Sequence, residues 1–446
     1  MTPAARIAAA AEILAELDHA PAPADAVLAN YLKARRFIGA KDRAAIAELL
    51  YGILRRRARL DWHLEQAGAA PSARTRMIAE LALAQHRSPA EIAALFGGSR
   101  YAAPPLDAGE RRLLGHLAGR RLEPPEMPER VRVECPDWAE TPLRALFGPR
   151  FAEELAALNR PAPLDLRANA LKADRETVRA ALAAEGIVAT PTPFSPWGLR
   201  VEGRPPLSAT RAFREGLVEV QDEGSQLLAS LVDARPGMQV VDFCAGAGGK
   251  TLALAATMAN KGRIVACDVS ARRLEQAGRR LRRAGVHNAE RRTLSSERDP
   301  WVKRHKGQFD RVLVDAPCSG TGTWRRNPDA RWGRGGPDLA ELTALQAKIL
   351  DSAARLVRPG GRLVYGTCSL LRAENEEQVA AFLAAHPDVA SVPAATLLPG
   401  LAGDFLRLTP ARHGTDGFFA AILERRPEAA APAEQETSRQ TVSSIS

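Results

Sequence analysis

The chain has 446 residues, enough for about three domains and for cores that need no disulfide support. Apolar residues make up 46% and charged residues 26%, and the five cysteines contain no C-x-x-C pair; together with the lack of any run of about 18 apolar residues, this argues against a membrane span, a disulfide scaffold and a cysteine-type zinc site. Lys+Arg is 62 against Asp+Glu 52, a formal charge of +10 with only eight lysines, and such an arginine-borne balance fits either a nucleic-acid partner or simply an Arg-rich genome.

Residues 1–122 read as all helix. Thr2 can cap, Pro3 suits a first turn, and Ile7, Ala11, Leu14 and Leu17 recur at helical spacing. Only Arg6 precedes the Ala-rich stretch that Glu12 interrupts, so this end reads as an amphipathic helix rather than a secretory signal, and a cytoplasmic, monomeric protein is expected. Over 42–60, Ile46, Leu49, Leu50, Ile53, Leu54 and Leu60 mark one face. Arg55, Arg56, Arg57 and Arg59 mark the other, either as a solvated surface or as a phosphate-binding stripe. Pro124, Pro125 and Pro128 then place a linker over 123–134.

Residues 135–215 read as a small α+β unit. Leu164 to Leu171 alternates as a strand, Asp174 opens a helix that runs to Glu185, and Gly186 ends it. A further helix begins near Gly224. Within 216–426 the pattern turns to β-α-β: apolar runs at 239–243, 263–269, 309–315 and 362–365 alternate with helical stretches 271–284 and 339–357, and a last strand spans 417–423. Alternation of this kind predicts an α/β domain with a doubly wound, mostly parallel sheet. The stretch 427–446, rich in Ala, Pro, Glu, Ser and Thr, reads as a disordered tail.

The first strand of that domain runs into Cys244, Ala245, Gly246, Ala247, Gly248, Gly249, Lys250 and Thr251. Glycines at this point let backbone approach a ligand at a helix N-terminus. A P-loop would need glycine where Cys244 stands, and a dinucleotide fingerprint from Gly246 would need glycine where Thr251 stands. A nucleoside-type ligand without a pyrophosphate remains, and S-adenosylmethionine fits; a plain tight turn is the simpler alternative. Asp268 ends the next strand 22 residues after Gly246, where an acidic group would hold ribose hydroxyls.

Two cysteines, Cys318 and Cys368, follow successive strands, and each precedes a serine. Strand carboxyl ends face the ligand crevice in such sheets, so both thiols are placed to meet substrate. Cys244 and Cys267 read instead as small core residues. A thiolate suits a pyrimidine: adding to C6 of cytosine, it makes C5 a nucleophile toward a methyl sulfonium, and loss of the C5 proton then expels the thiol. Asp315, three residues before Cys318, could face the N3/N4 edge of the ring or the cofactor. The histidines are scattered, and none stands at metal-ligand spacing with Cys or a carboxylate.

Taken in order, DFCAGAGGKT (242–251), DAPCSGTG (315–322), RRNPDARW (325–332), YGTCS (365–369) and DGFFAAIL (416–423) resemble the RsmB/Sun family of S-adenosylmethionine-dependent RNA cytosine-C5 methyltransferases. RANALK (167–172) is similar to that family's N-terminal signature, and KDRAAIAELLYGILR (41–55) is similar to the NusB-like helical domain of its bacterial ribosomal members. The resemblance implies a Rossmann-like class I methyltransferase domain preceded by a small α+β domain and an all-α NusB-like domain, both RNA-binding. It implies that the loop Cys244–Lys250 holds the cofactor's methionine and ribose side, that Asp268 binds the ribose, and that Asp315 lies between cofactor and base. It further makes Cys368 the nucleophile and Cys318 the residue that assists release. Where the family often has Ala-Pro-Gly-Gly this chain has Gly246–Ala247–Gly248–Gly249, and its usual adenine-side Asp is matched at about Ser296. Ribosomal RNA is the expected substrate. Transfer RNA, DNA, or a non-catalytic RNA-binding role in assembly are the alternatives.

Overall fold

The computed structural model describes residues 1–19, 22–97, 101–333, 336–398, 400–401 and 403–427. The expected disordered tail, from 428 on, lies outside the described residues. Among those described, no helix is long and apolar enough to cross a membrane.

Helices fill the N-terminal part. Pro3–Leu17 begins as its residues dictate: Thr2 Oγ1 accepts from Ala5 N at 3.2 Å, and Pro3 occupies the first turn. Its inner face, Ile7, Ala10, Ile13 and Leu14, shares one core with Ile46, Leu50, Ile53, Leu60, Leu64 and Met77. The apolar spacing over 42–60 suggests a single helix. The structure has two, Ala40–Arg55 and Arg57–Gln66, because Arg56 leaves helical geometry at φ −117° and ψ 15°. The arginine run is neither a solvated surface nor a free stripe. Arg56 pairs with Glu80, Arg57 with Asp18 and Asp61, and Arg59 with Glu123 and Glu134, while Arg55 Nη2 donates to Arg325 O at 3.0 Å.

The stretch 123–134, read from its prolines as a linker, is packed: it forms a short helix, Glu129–Arg132, and buries Met127, Val131, Val133 and Glu134. Helices Asp137–Phe147 and Phe151–Asn159 follow, and their apolar faces close on Trp324, Leu370 and Leu371 from far along the chain.

A small antiparallel sheet comes next, made of β1 (Leu164–Ala168), β2 (Ala189–Pro191), β3 (Gly198–Val201) and β4 (Val218–Val220) in the order β2-β3-β1-β4. The helix Arg175–Ala184 covers it through Val178 and Leu182, and Asp174 caps that helix by accepting from Thr177 N at 2.8 Å.

The large sheet holds β5 (Gln239–Asp242), β6 (Arg263–Asp268), β7 (Ala289–Thr293), β8 (Phe309–Asp315), β9 (Val357–Thr367), β10 (Val389–Val392), β11 (Leu406–Leu408) and β12 (Phe418–Arg425). Its order is β10-β12-β9-β8-β5-β6-β7, with β11 on β12; β5 to β9 pair parallel and β12 pairs antiparallel with its neighbours. β7 escaped pattern reading because Ala-Glu-Arg-Arg-Thr carries no apolar alternation; it is an edge strand, where charge discourages further pairing. The helix expected over 339–357 stops at Ala354, and β9 starts at Val357. Between β5 and β8 the winding reverses: from β5 the chain runs outward to β6 and β7, then returns to β8 on the other side. Ligands bind at such a switch point, outside the strand carboxyl ends.

Candidate active site

A cleft of about 890 Å³ opens at this switch point, lined by the loop after β5, by Asp268 at the end of β6 and Val269 beyond it, by Ser296, by Asp315 at the end of β8 and Cys318 beyond it, and by Cys368 after β9. The loop is shaped from both ends. Gly246 and Gly248 take the left-handed conformation at φ +54° and +79°, and Gly248 N donates to Ala245 O at 2.9 Å. A Cβ on Gly248 would lie 2.9 Å from Ala277 Cβ, so this glycine serves both the turn and the close approach of the helix Ala271–Ala284. Asp268 is buried and fastens the loop to β6: its Oδ2 accepts from Gly246 N at 2.8 Å and its Oδ1 from Ser270 N at 2.7 Å.

Register explains why the remaining groups meet. Asp315 pairs with Gly366 across β8 and β9, so the residues just beyond each strand share one end of the sheet. Cys318 Sγ and Cys368 Sγ lie 3.4 Å apart, and both are half-buried. Lys250 Nζ donates to Asp315 Oδ2 at 2.6 Å. Burial opposes the Lys250 charge, but Asp315, Asp242 and Cys368 outweigh it and hold the ammonium above the usual lysine value. The hydrogen bond to Cys368, burial and the charges of Cys368 and Glu374 all push the Cys318 thiol well above the ordinary range. Burial does the same to Cys244, whose side chain lines the cleft, and to Cys267 in the core beneath.

Five functional candidates escaped sequence reading. Asp242, fully buried, accepts from Thr251 Oγ1 at 2.7 Å through Oδ2, while Oδ1 has no partner among the described residues. Burial raises this carboxyl to about 6. Gln221 and Ser225, from the approach to the large sheet, line the cleft as well. Arg167, first residue of the RANALK stretch, reaches from β1 to Gly249 O at 2.9 Å. Glu374 is fully buried beneath both cysteine loops. The only sequence signal for it was the serine after each cysteine, since both serine hydroxyls converge on its carboxylate.

The lining suits S-adenosylmethionine. The unpartnered Asp242 oxygen can receive an ammonium group, Asp268 at the carboxyl end of β6 can accept from hydroxyls, and Val269, 65% exposed, offers an apolar surface to a nucleobase. An open, mostly parallel sheet with this loop and this acidic strand end is the fold of S-adenosylmethionine-dependent methyltransferases. A family model described as 16S rRNA methyltransferase RsmB/F matches residues 229–424, and an RsmF/B-like ferredoxin-like domain matches residues 135–208. The ribosomal RNA small subunit methyltransferase B of Photorhabdus laumondii is 30% identical over 413 residues, which are 88% of this chain and 93% of that protein. Its namesake from Sodalis glossinidius is 32% identical over 404 residues, 87% and 91% of the two chains. The crystal structure of PH0851 agrees at TM-score 0.79 over 95% of this chain and 99% of its own, with 28% identity. A methyltransferase homolog from Pyrococcus horikoshii agrees at 0.57 over 67% and 97%, with 30% identity. The chain belongs to the RsmB/F family of S-adenosylmethionine-dependent ribosomal RNA methyltransferases.

Proposed function

We propose that the protein methylates C5 of a cytosine in 16S ribosomal RNA, with Cys368 as nucleophile and Cys318 as the residue that assists release. The observation that carries this reading is the 3.4 Å approach of the two thiols at the edge of the cofactor cleft. The substrate follows from the relatives, which are ribosomal RNA small subunit methyltransferases. Bound S-adenosylmethionine supplies an electrophilic methyl group on a sulfonium. The backbone of Cys244, Ala245, Gly246, Ala247, Gly248, Gly249 and Lys250 cradles its methionine and ribose side, Asp268 holds the ribose, and Ser296 borders the adenine.

Cys368 adds to C6 as a thiolate, and the C5=C6 electron pair moves to C5. Asp315, held by Lys250, faces the ring edge, where its carboxylate accepts from the N4 amino group and orients the base. C5 takes the methyl group while the broken S–CH3 bond returns its electron pair to sulfur, which leaves as a neutral thioether. The C5 proton then leaves to solvent, its electron pair rebuilds C5=C6, and the C6–S bond breaks. Cys318, kept as a protonated thiol, donates a hydrogen bond to the departing Cys368 thiolate. Splitting one hard substitution into two easier steps is the gain of covalent catalysis.

The test incubates labelled S-adenosylmethionine and undermethylated total RNA with wild type, Cys368→Ala and Cys318→Ala, read on a denaturing gel. Loss of transfer in Cys368→Ala, and a covalent protein–RNA band in Cys318→Ala on RNA of 16S size, is the expected result. Normal transfer by both variants would overturn the thiol mechanism. Label in RNA of transfer-RNA size would overturn the substrate.

A further inference from the structure

The carboxylate of Glu374 is the point where the two cysteine loops are joined. Its Oε1 accepts from Ser319 N at 2.8 Å and from Gln346 Nε2 at 2.9 Å. Its Oε2 accepts from the hydroxyls of Ser319 and Ser369, which are themselves 3.1 Å apart. Gln346 Nε2 also donates to Pro317 O at 2.9 Å, on the other side of Cys318. The backbone of Glu374 is fixed in turn, because Tyr365 OH donates to its carbonyl at 2.7 Å. Asn375 Nδ2 donates to Ser369 O at 2.9 Å. Each of these partners of the carboxylate is a neutral donor, and no cation pairs with it among the described residues. An unpaired buried carboxylate is costly, and a stable fold alone does not call for one; neutral residues of similar shape serve as well or better.

What the position achieves is asymmetry. Glu374 grips the Cys318 loop at two atoms, Ser319 N and Oγ, and the Cys368 loop at Ser369 Oγ alone, so its negative charge stands on the Cys318 side of the pair. Tyr365, buried and held neutral, also faces Cys318, and Cys244 and Asp315 line the same cleft.

We propose that Glu374 is the positioning residue of this site: it ties the loops of Cys318 and Cys368 at one separation through the serine that follows each, and its charge decides which of the two thiols attacks. The inference rests on the proposed thiol mechanism.

Two variants separate reach from charge. Glu374→Gln keeps the length and loses the charge; Glu374→Asp keeps the charge and loses the reach. The readouts are saturated methyl-transfer rate, S-adenosylmethionine affinity by calorimetry, and mass-spectrometric mapping of iodoacetamide alkylation at each cysteine across pH. In wild type Cys368 is expected to be alkylated ahead of Cys318. Glu374→Gln is expected to narrow that preference by about tenfold, the effect of roughly one pH unit on a thiolate fraction. Glu374→Asp is expected to keep the preference yet lose about 10²-fold in turnover, as a small misplacement of reacting groups does. Both should bind the cofactor as wild type does, since Glu374 lies outside the cleft lining; this also reports folding. Ser319→Ala and Ser369→Ala, each removing one hydroxyl, should reproduce part of the turnover loss if the acidic-site variants fail to fold. Wild-type turnover and wild-type alkylation preference in Glu374→Gln would overturn the proposal, as would wild-type turnover in both serine variants. Cys368→Ala, run alongside, separates the two failures: if it is dead while Glu374→Gln behaves as wild type, only the role of Glu374 falls, and if it is active, the thiol mechanism itself falls.

Discussion

Arg167 Nη1 donates to the carbonyl of Gly249 at 2.9 Å, so the cofactor loop of the large sheet is held from β1 of the small one. The guanidinium is wholly buried, also donates to Gln221 Oε1, and is lowered by burial to about 10. Asn169 and Lys172 extend the same joint, donating to Ala284 O and Arg283 O of the helix that flanks the loop. RANALK is therefore a clamp between two sheets. Arg167→Met removes a charge-assisted hydrogen bond worth about 1.5–3 kcal/mol. Cofactor affinity measured by calorimetry should fall by about tenfold or more. Unchanged affinity would mean that the loop keeps its shape unaided.

Asp268→Asn gives a sharper result at the loop's other anchor. Both carboxylate oxygens accept from backbone N–H groups, of Gly246 and Ser270. An amide must turn an NH2 toward one of these donors. The KM for S-adenosylmethionine should rise by about tenfold to a hundredfold, with little change in kcat at saturation. Ser296→Ala is the contrast: its hydroxyl already accepts from Arg298 N at 3.1 Å within its own turn, and its loss should move KM by less than about threefold. A large effect of Ser296→Ala with none from Asp268→Asn would reverse the assignment of the ribose side.

Gly248→Ala carries two separable penalties. Its φ of +79° costs an L-residue about 1–2 kcal/mol, and the new Cβ would meet Ala277 Cβ at 2.9 Å. Weakened cofactor binding and a lowered melting temperature are expected. Adding Ala277→Gly should restore the steric part and leave the conformational part. Full recovery in the double variant would show that the left-handed conformation is not required.

The positions after the strands were legible in sequence because chemistry and topology coincide there: a loop of glycines after β5, an acid after β6, a thiol after each of β8 and β9. What stayed hidden were groups whose roles depend on distant partners. Glu374 and Arg167 read as ordinary charged residues until Ser319, Ser369 and Gly249 are brought to them. β7 was missed because an edge strand needs no apolar alternation. The arginine run at 55–59 misled for the same reason: helical spacing shows which residues share a face, but Asp18, Glu80, Glu123 and Glu134, which face it, come from three other segments.

Those pairings make a prediction about RNA. Arg59 is engaged with Glu123 and with Glu134, the latter at 2.8 Å. Arg59→Gln should lower thermal stability while leaving the slope of log K against log salt unchanged in an RNA-binding titration. A slope reduced by about one would return Arg59 to a phosphate contact.

Glu134 ties the helical N-terminal part to the catalytic part. Its carboxylate accepts from Ala58 N at 2.8 Å and from Arg59 Nε at 2.8 Å, while its carbonyl accepts from Arg331 Nη1 at 3.0 Å. Burial raises the carboxyl from 4.5 to about 7, against the opposing pull of Arg59. Between those values the unfolded chain has already lost this proton and the folded chain still holds it. The stability that Glu134 contributes is therefore complete below about 4.5 and is lost as pH climbs through about 7. Glu134→Gln, a permanent mimic of the protonated form, should gain on wild type as pH rises across this window, by on the order of 3 kcal/mol in the limit. Urea midpoints of the two proteins at about pH 5 and about pH 8.5 measure the gap. A gap that stays constant, with the variant uniformly weaker, would show that Arg59 keeps Glu134 ionised throughout and that the joint between the two parts of the molecule is a true buried ion pair.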